Sequence, residues 1–165
     1  MTARELAAPI LVGAARVALG GLWLNEAAIK VRSGFGGADI LLVANGAAGN
    51  TRVPGYFQWF ASNVMQPASG FFGFAIPLLE AGLGVALVLG ILTRAAAVMS
   101  ILTLLLYWSS DQLIWEYPVM VALSVVVVAF PVAARRFSLS ALLQWMFARR
   151  RPGRPSLPRS LVVWL

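Results

Sequence analysis

Apolar residues run along this chain in long blocks that polar residues interrupt rather than alternate with. The first block covers about residues 9–29 and contains Arg16, Asn25 and Glu26. A second covers about 70–92 with Glu80 inside it, a third about 95–109, and a fourth, mostly valine, about 118–133. A run of roughly 17–25 apolar residues suffices to carry a helix across ~30 Å of hydrocarbon. The period-two alternation of barrel strands is missing, and in lipid only helices and closed barrels satisfy the backbone. The pattern therefore predicts an all-α, polytopic membrane protein. Its transmembrane domain, residues 1–136, is expected to be an antiparallel four-transmembrane-helix bundle.

Between the first two blocks, residues 30–69 carry the turn signals "SGFGGAD", "ANGAAGN" and "RVPG" and read as a long first extracytoplasmic loop. Within it "GYFQWFASNVMQP" spaces Phe57, Phe60 and Val64 as an interfacial amphipathic piece would. A loop of this length is unusual without a job, so it is a candidate lid or docking surface. Thr93-Arg94 reads as the tight break between the second and third spans. Residues 137–165 change character: Ser138 or Ser140 caps a C-terminal amphipathic helix with Leu139, Leu142, Leu143, Met146 and Phe147 on one side, followed by a basic, disordered tail. The length of the first block and the arginine in its middle argue against a cleaved signal peptide.

Composition supports the membrane reading. The 165 residues are 60% hydrophobic and 12% charged, against roughly 25% charged in an average soluble domain. Cysteine and histidine are both absent. Intrinsic disulfides, histidine-ligated haem, iron–sulfur clusters, thiolate and zinc sites and histidine-based triads are thereby removed, so no metal site and no intrinsic cofactor is expected. Arg4, Arg94, Arg135, Arg136, Arg149, Arg150, Arg151, Arg154 and Arg159 fall on one side of a four-span protein, with only Lys30, Arg32 and Arg52 on the other. That bias predicts an inner (plasma) membrane protein with both termini cytoplasmic. Trp59, Tyr107, Trp108, Trp115 and Tyr117 then form an outer aromatic belt. The net charge of +7 sits mainly in the tail, and Arg94, Arg135, Arg136, Arg149, Arg150 and Arg151 are expected at the membrane surface, facing anionic lipid rather than nucleic acid.

A lone charge at mid-bilayer costs at least ~2.5–3.5 kcal/mol. Counting ~1.5 Å per residue from the span ends puts the Cα atoms of Arg16 and Glu80 within ~6–8 Å of one level. They are expected to meet as an intramembrane charge pair, beside a small-residue face of Ala14, Ala18 and Gly21 and near Gly82 and Gly84. The pair either fixes helix register, lines a quinone or small-molecule pocket or carries a proton, or contacts a partner subunit. Nearer the outer face, Glu26 and Lys30 are spaced to bridge. Asn25 and Glu26 with Glu80, Trp108 and Trp115 are candidate pocket-lining residues; an interfacial charge rim is the plainer reading of the first two.

An arginine early in span one, then "ALGGLWLNEAAIK", "FQWFASNVMQP", "LLEAGLGVALVLGILTRAAAV" and "RRFSLSALL", in that order, resemble the DoxX/DoxD family of small four-helix membrane proteins. The resemblance covers about residues 10–143 and is most specific from Glu80 to Arg94. It implies that Arg16, Lys30, Glu80 and Arg94 are the family's charged positions. It also implies a membrane subunit associated with a quinone-linked redox or respiratory complex, with quinone as the candidate cofactor. Two departures, "NEAAIK" where a glycine often precedes the lysine and "FSLSALL" where an "SLD" closes the family pattern, weaken any transfer of sulfur chemistry. Without cysteine, thiosulfate oxidation needs a redox centre from another chain. The alternative is a non-catalytic accessory or assembly subunit packed against a larger membrane complex. Either way the chain reads as a subunit of an oxidoreductase complex more than an enzyme on its own. Transport ranks third, since few polar groups lie within the spans.

Overall fold

The structure is a computed structural model that describes residues 3–150. Arg151, the rest of the basic tail, and the side chains of Arg4, Phe147 and Arg150 lie outside the described residues. All regular structure among the described residues is helical. Helix α1 spans Ala3–Arg32, α2 Gly37–Ala47, and α3 Gly55–Phe60, which continues as a π-helical turn over Ala61–Met65. Then follow α4 (Ser69–Leu89), α5 (Thr93–Ser109), α6 (Glu116–Ala129), α7 (Pro131–Arg135) and α8 (Leu139–Arg150). Among the described residues two stretches are long and apolar enough to cross a membrane, Leu6–Arg32 and Ser69–Leu89. Helices α2, α5 and α6 are apolar but shorter.

Helix α1 packs along α4, α6 and α7, and α5 packs against α4 and α6. The sequence explains which faces meet. On α4, Phe71, Phe74, Leu78, Val85 and Leu89 recur at three, four or seven residues and are all exposed, whereas Gly73, Glu80, Leu83, Gly84 and Leu87 form the buried stripe. A soluble helix would reverse this assignment of apolar and charged residues; a helix in lipid keeps its acid inward. On α1 the inward stripe contains Val12, Arg16, Leu19, Trp23 and Ala27. Closest approach occurs at Gly20 and Gly84, where a Cβ on either glycine would lie 2.9–3.0 Å from the other's carbonyl oxygen. The small-residue contact is therefore Gly20 against Gly84. Ala14, Ala18 and Gly21, expected to form it, are exposed, and neither Gly21 nor Gly82 has a neighbour within 4 Å of an added Cβ.

Three further expectations change. The predicted long loop is largely helical: Ile40, Ala44 and Ala47 of α2 pack with Val53, Phe57, Ala61 and Met65 into a second apolar core. The glycines and asparagines that suggested turns are partly absorbed into α2, because alanine-rich segments keep helical spacing through an isolated glycine. This helical cap packs on α4 and is tied to the end of α5. Arg52 Nη2 meets Asp111 Oδ1 at 3.0 Å, and Asn50 Nδ2 donates to Asp111 Oδ2 at 3.1 Å. The α4–α5 break is at Gly90–Leu92, with Gly90 left-handed (φ 71°, ψ 44°), so Thr93 and Arg94 already belong to α5. The predicted fourth span is interrupted at Phe130 (φ −120°, ψ 57°). Pro131 is the cause, since proline disfavours helical geometry in the residue before it.

Candidate functional site

Arg16, Trp23 and Lys30 stand seven residues apart on α1 and therefore share one face. Each takes a different polar partner inside the helix assembly, and together they mark three levels along it.

At the first level Arg16 is 2% exposed and among the described residues its hydrogen bonds go to backbone oxygens. Its Nη1 donates to the Leu87 carbonyl and to the Val88 carbonyl at 3.0 Å, and its Nη2 donates to the Phe137 carbonyl at 3.0 Å. The acceptors Leu87 and Val88 are among the last carbonyls of α4, which lack intrahelical donors and sit at the negative end of the helix dipole. A cation placed there is partly neutralised without any carboxylate. At the middle level Trp23 Nε1 donates to Ser100 Oγ at 2.8 Å. Ser100 Oγ lies 2.8 Å from Ser124 Oγ, and Ser124 Oγ donates to the Met120 carbonyl at 2.7 Å. This relay satisfies the buried indole and both hydroxyls while joining α1, α5 and α6.

The third level holds the acid. Glu80 is fully buried, and its Oε1 accepts from Lys30 Nζ at 2.8 Å and from Tyr107 OH at 2.6 Å. Lys30 Nζ also reaches Glu26 Oε2 at 3.2 Å, and Tyr117 OH donates to that same oxygen at 3.4 Å. The ammonium lies 5.6 Å from the Tyr107 ring centroid and 5.9 Å from that of Phe35. The Tyr107 and Tyr117 rings lie 5.5 Å apart, tilted by 36°, and Trp23 lies 6.4 Å from Tyr107. One ammonium thus serves two carboxylates within an aromatic enclosure built from α1, α4, α5 and α6. Glu80 Oε2 is buried with no hydrogen-bond partner among the described residues. The Lys30 and Glu26 side chains remain 16% and 12% exposed, so the cluster opens towards the outside only at its α1 end.

The expected Arg16–Glu80 pair is therefore not formed. Arg16 stands level with Leu87 and Val88, which places it about two helical turns, or ~10–12 Å, from Glu80 along α4. Helix register is fixed by the Gly20–Gly84 contact, whereas apolar run lengths locate span ends only loosely. Of the five residues expected to line a pocket, Glu26 and Glu80 come together through Lys30. Asn25 is exposed, and Trp108 and Trp115 turn outward, 67% and 75% exposed. Each of Asn25 and Trp108 lies one or two positions from a buried residue, Trp23, Ala27 or Tyr107, and helical geometry turns it out of the enclosure. Tyr107 and Tyr117, expected in the aromatic belt, face inward. The signal for Tyr107 was its spacing from Ser100, Thr103 and Leu104 on the buried face of α5, and for Tyr117 its spacing from Met120, Ser124 and Val127 on α6.

Among the basic residues at the other end, Arg135 donates to Gln144 Oε1 and the Arg149 guanidinium stacks 4.0 Å over the Trp145 ring. Arg136 is exposed and lines a groove beside α8, and Arg94 lies in the first turn of α5. No group of acids suited to hold a metal ion occurs among the described residues.

The DoxX family profile matches residues 10–110, which takes in Arg16, Glu26, Lys30, Glu80 and Tyr107. No curated protein and no solved structure matches the chain. With the acid-bearing second span and the lysine that ends the first both inside the matched region, the chain is a membrane protein of the DoxX family.

Proposed function

We propose that this protein is a multi-pass subunit of a quinone-linked redox complex in the plasma membrane, and that the Glu26–Lys30–Glu80–Tyr107 cluster receives the quinone headgroup. In this reading α1, α4, α5 and the broken α6–α7 pair cross the bilayer, with both termini cytoplasmic. The placement of Arg94, Arg135, Arg136 and Arg149 at one end and Lys30, Arg32 and Arg52 at the other supports it. So do the outward apolar faces of α4 and α5.

The observation that carries the proposal is the buried carboxylate of Glu80, joined at 2.6 Å to a tyrosine hydroxyl and at 2.8 Å to an ammonium. Quinone oxygens need hydrogen-bond donors in an otherwise apolar, aromatic slot. Lys30 and Tyr117 supply donors, Tyr107 and Trp23 supply ring faces, and Glu80 supplies a site for the proton that accompanies each electron. The electrons themselves must come from a partner protein. A second reading, a non-catalytic accessory subunit, is favoured by the internal pairing of Lys30, which already engages both acids.

Solvent extraction of the protein purified in mild detergent separates the two. The quinone-site reading expects about one quinone per chain, lost in Glu80→Gln while the helical circular-dichroism signal is kept. Co-purification with a respiratory assembly carrying no quinone, and unchanged turnover of that assembly when the subunit is deleted, would select the accessory role.

A further inference from the structure

Helix α8 is fastened to the end of α4, and a groove remains between them. The fastening is specific. Ser140 Oγ donates to the Gly90 carbonyl at 2.8 Å, Ser138 Oγ accepts from the Ala141 N–H at 3.1 Å as the helix cap, and Arg16 holds the Phe137 carbonyl. Left-handed Gly90 permits the approach, because a Cβ there would lie 2.4 Å from that of Ser138. The resulting groove has a volume of about 620 Å³, with walls that include Val88, Leu89, Leu139, Leu142 and Trp145 and with Arg136 beside them.

Two features define what fits. The walls are apolar and open, with Leu89, Leu142 and Trp145 43%, 51% and 53% exposed. The chain that forms this end is one-signed: the sequence has no acidic residue after Glu116, while Arg135 ends α7, Arg149 lies in α8 and Arg136 follows α7 in the turn between them. An apolar slot beside a guanidinium matches an acyl chain beneath a phosphate. A soluble phosphate would leave the leucines and the tryptophan uncovered. We infer that this groove binds one anionic phospholipid, with its phosphodiester at Arg136 and an acyl chain along Leu89, Leu142 and Trp145. The lipid would brace α8 against α4 at the membrane surface. This inference does not depend on quinone binding; it requires only that this end of α4 reach the lipid headgroups.

Native mass spectrometry of the full chain in mild detergent tests it with phosphatidylglycerol and with phosphatidylcholine of the same acyl chains. The expected result is a single saturable phosphatidylglycerol adduct, with phosphatidylcholine bound more weakly. Arg136→Gln should weaken phosphatidylglycerol by about five-fold, the contribution of one basic residue near an anionic surface. Leu142→Gln should weaken both lipids, and Arg52→Gln, at the opposite end, should change neither. The inference is overturned by equal affinity for the two lipids, by an unsaturable series of adducts, or by an unaffected Arg136→Gln variant. It is also overturned by competition from millimolar inorganic phosphate, which would indicate a soluble anion, or by a lipid-free dimer in which a second copy covers the groove.

Discussion

Replacing Lys30 by Met is expected to destabilise the protein by roughly 3–5 kcal/mol, the range for removing one partner of a buried ion pair. Lys30 Nζ is the only ammonium between Glu26 and Glu80, at 3.2 and 2.8 Å. Its loss leaves two acids facing each other across an aromatic enclosure, one of them fully buried. Desolvation and like-charge repulsion then act together. Methionine preserves most of the side-chain volume, so the loss reports charge rather than a cavity. Tryptophan fluorescence during denaturation from detergent micelles by sodium dodecyl sulfate measures it. A loss below about 1 kcal/mol, the level of an exposed salt bridge, would show that water already solvates the cluster.

The second large effect is steric. Gly20→Val should cost about 3 kcal/mol, the upper part of the range for inserting methyl groups into a packed contact. A Cβ at Gly20 would lie 2.8 Å from the backbone nitrogen of Val88 and 2.9 Å from the carbonyl oxygen of Gly84. Backbone cannot rotate away as a side chain can, so α1 and α4 must separate. Gly21→Val is the matched control, because open space surrounds that position, and it should change stability by less than about 0.5 kcal/mol. Equal losses in the two variants would mean that the close crossing of α1 and α4 is not there.

Much of the helical layout can be read from the sequence, because apolar run length and turn residues act locally. The second run, about 70–92, lies within three residues of α4 at both ends, and the third, about 95–109, within two of α5. The first helix extends further than its run, starting at Ala3 and ending at Arg32, since helix propensity carries it beyond the apolar block. The partners of the charged residues were less legible. Depth counted from span ends placed Arg16 near Glu80, but a two-glycine contact decides the register, and hydropathy does not weigh such contacts. Two clues were present. Arg16, Trp23 and Lys30 share a seven-residue spacing, and the last turn of α4 offers unpaired carbonyls to an arginine. The fold of residues 37–65 was obscured because glycine and asparagine mark turns in isolation, yet here they flank or interrupt short helices whose stability comes from packing on α4.

Lys30, rather than Arg16, neutralises Glu80 inside the helix assembly. Two double-mutant cycles measured on the same stability scale test it, one combining Lys30→Met with Glu80→Gln, the other Arg16→Met with Glu80→Gln. The structure predicts a coupling energy of about 1–3 kcal/mol in the first cycle and additivity within about 0.5 kcal/mol in the second. Additive losses for Lys30 and Glu80 with strong coupling between Arg16 and Glu80 would contradict it.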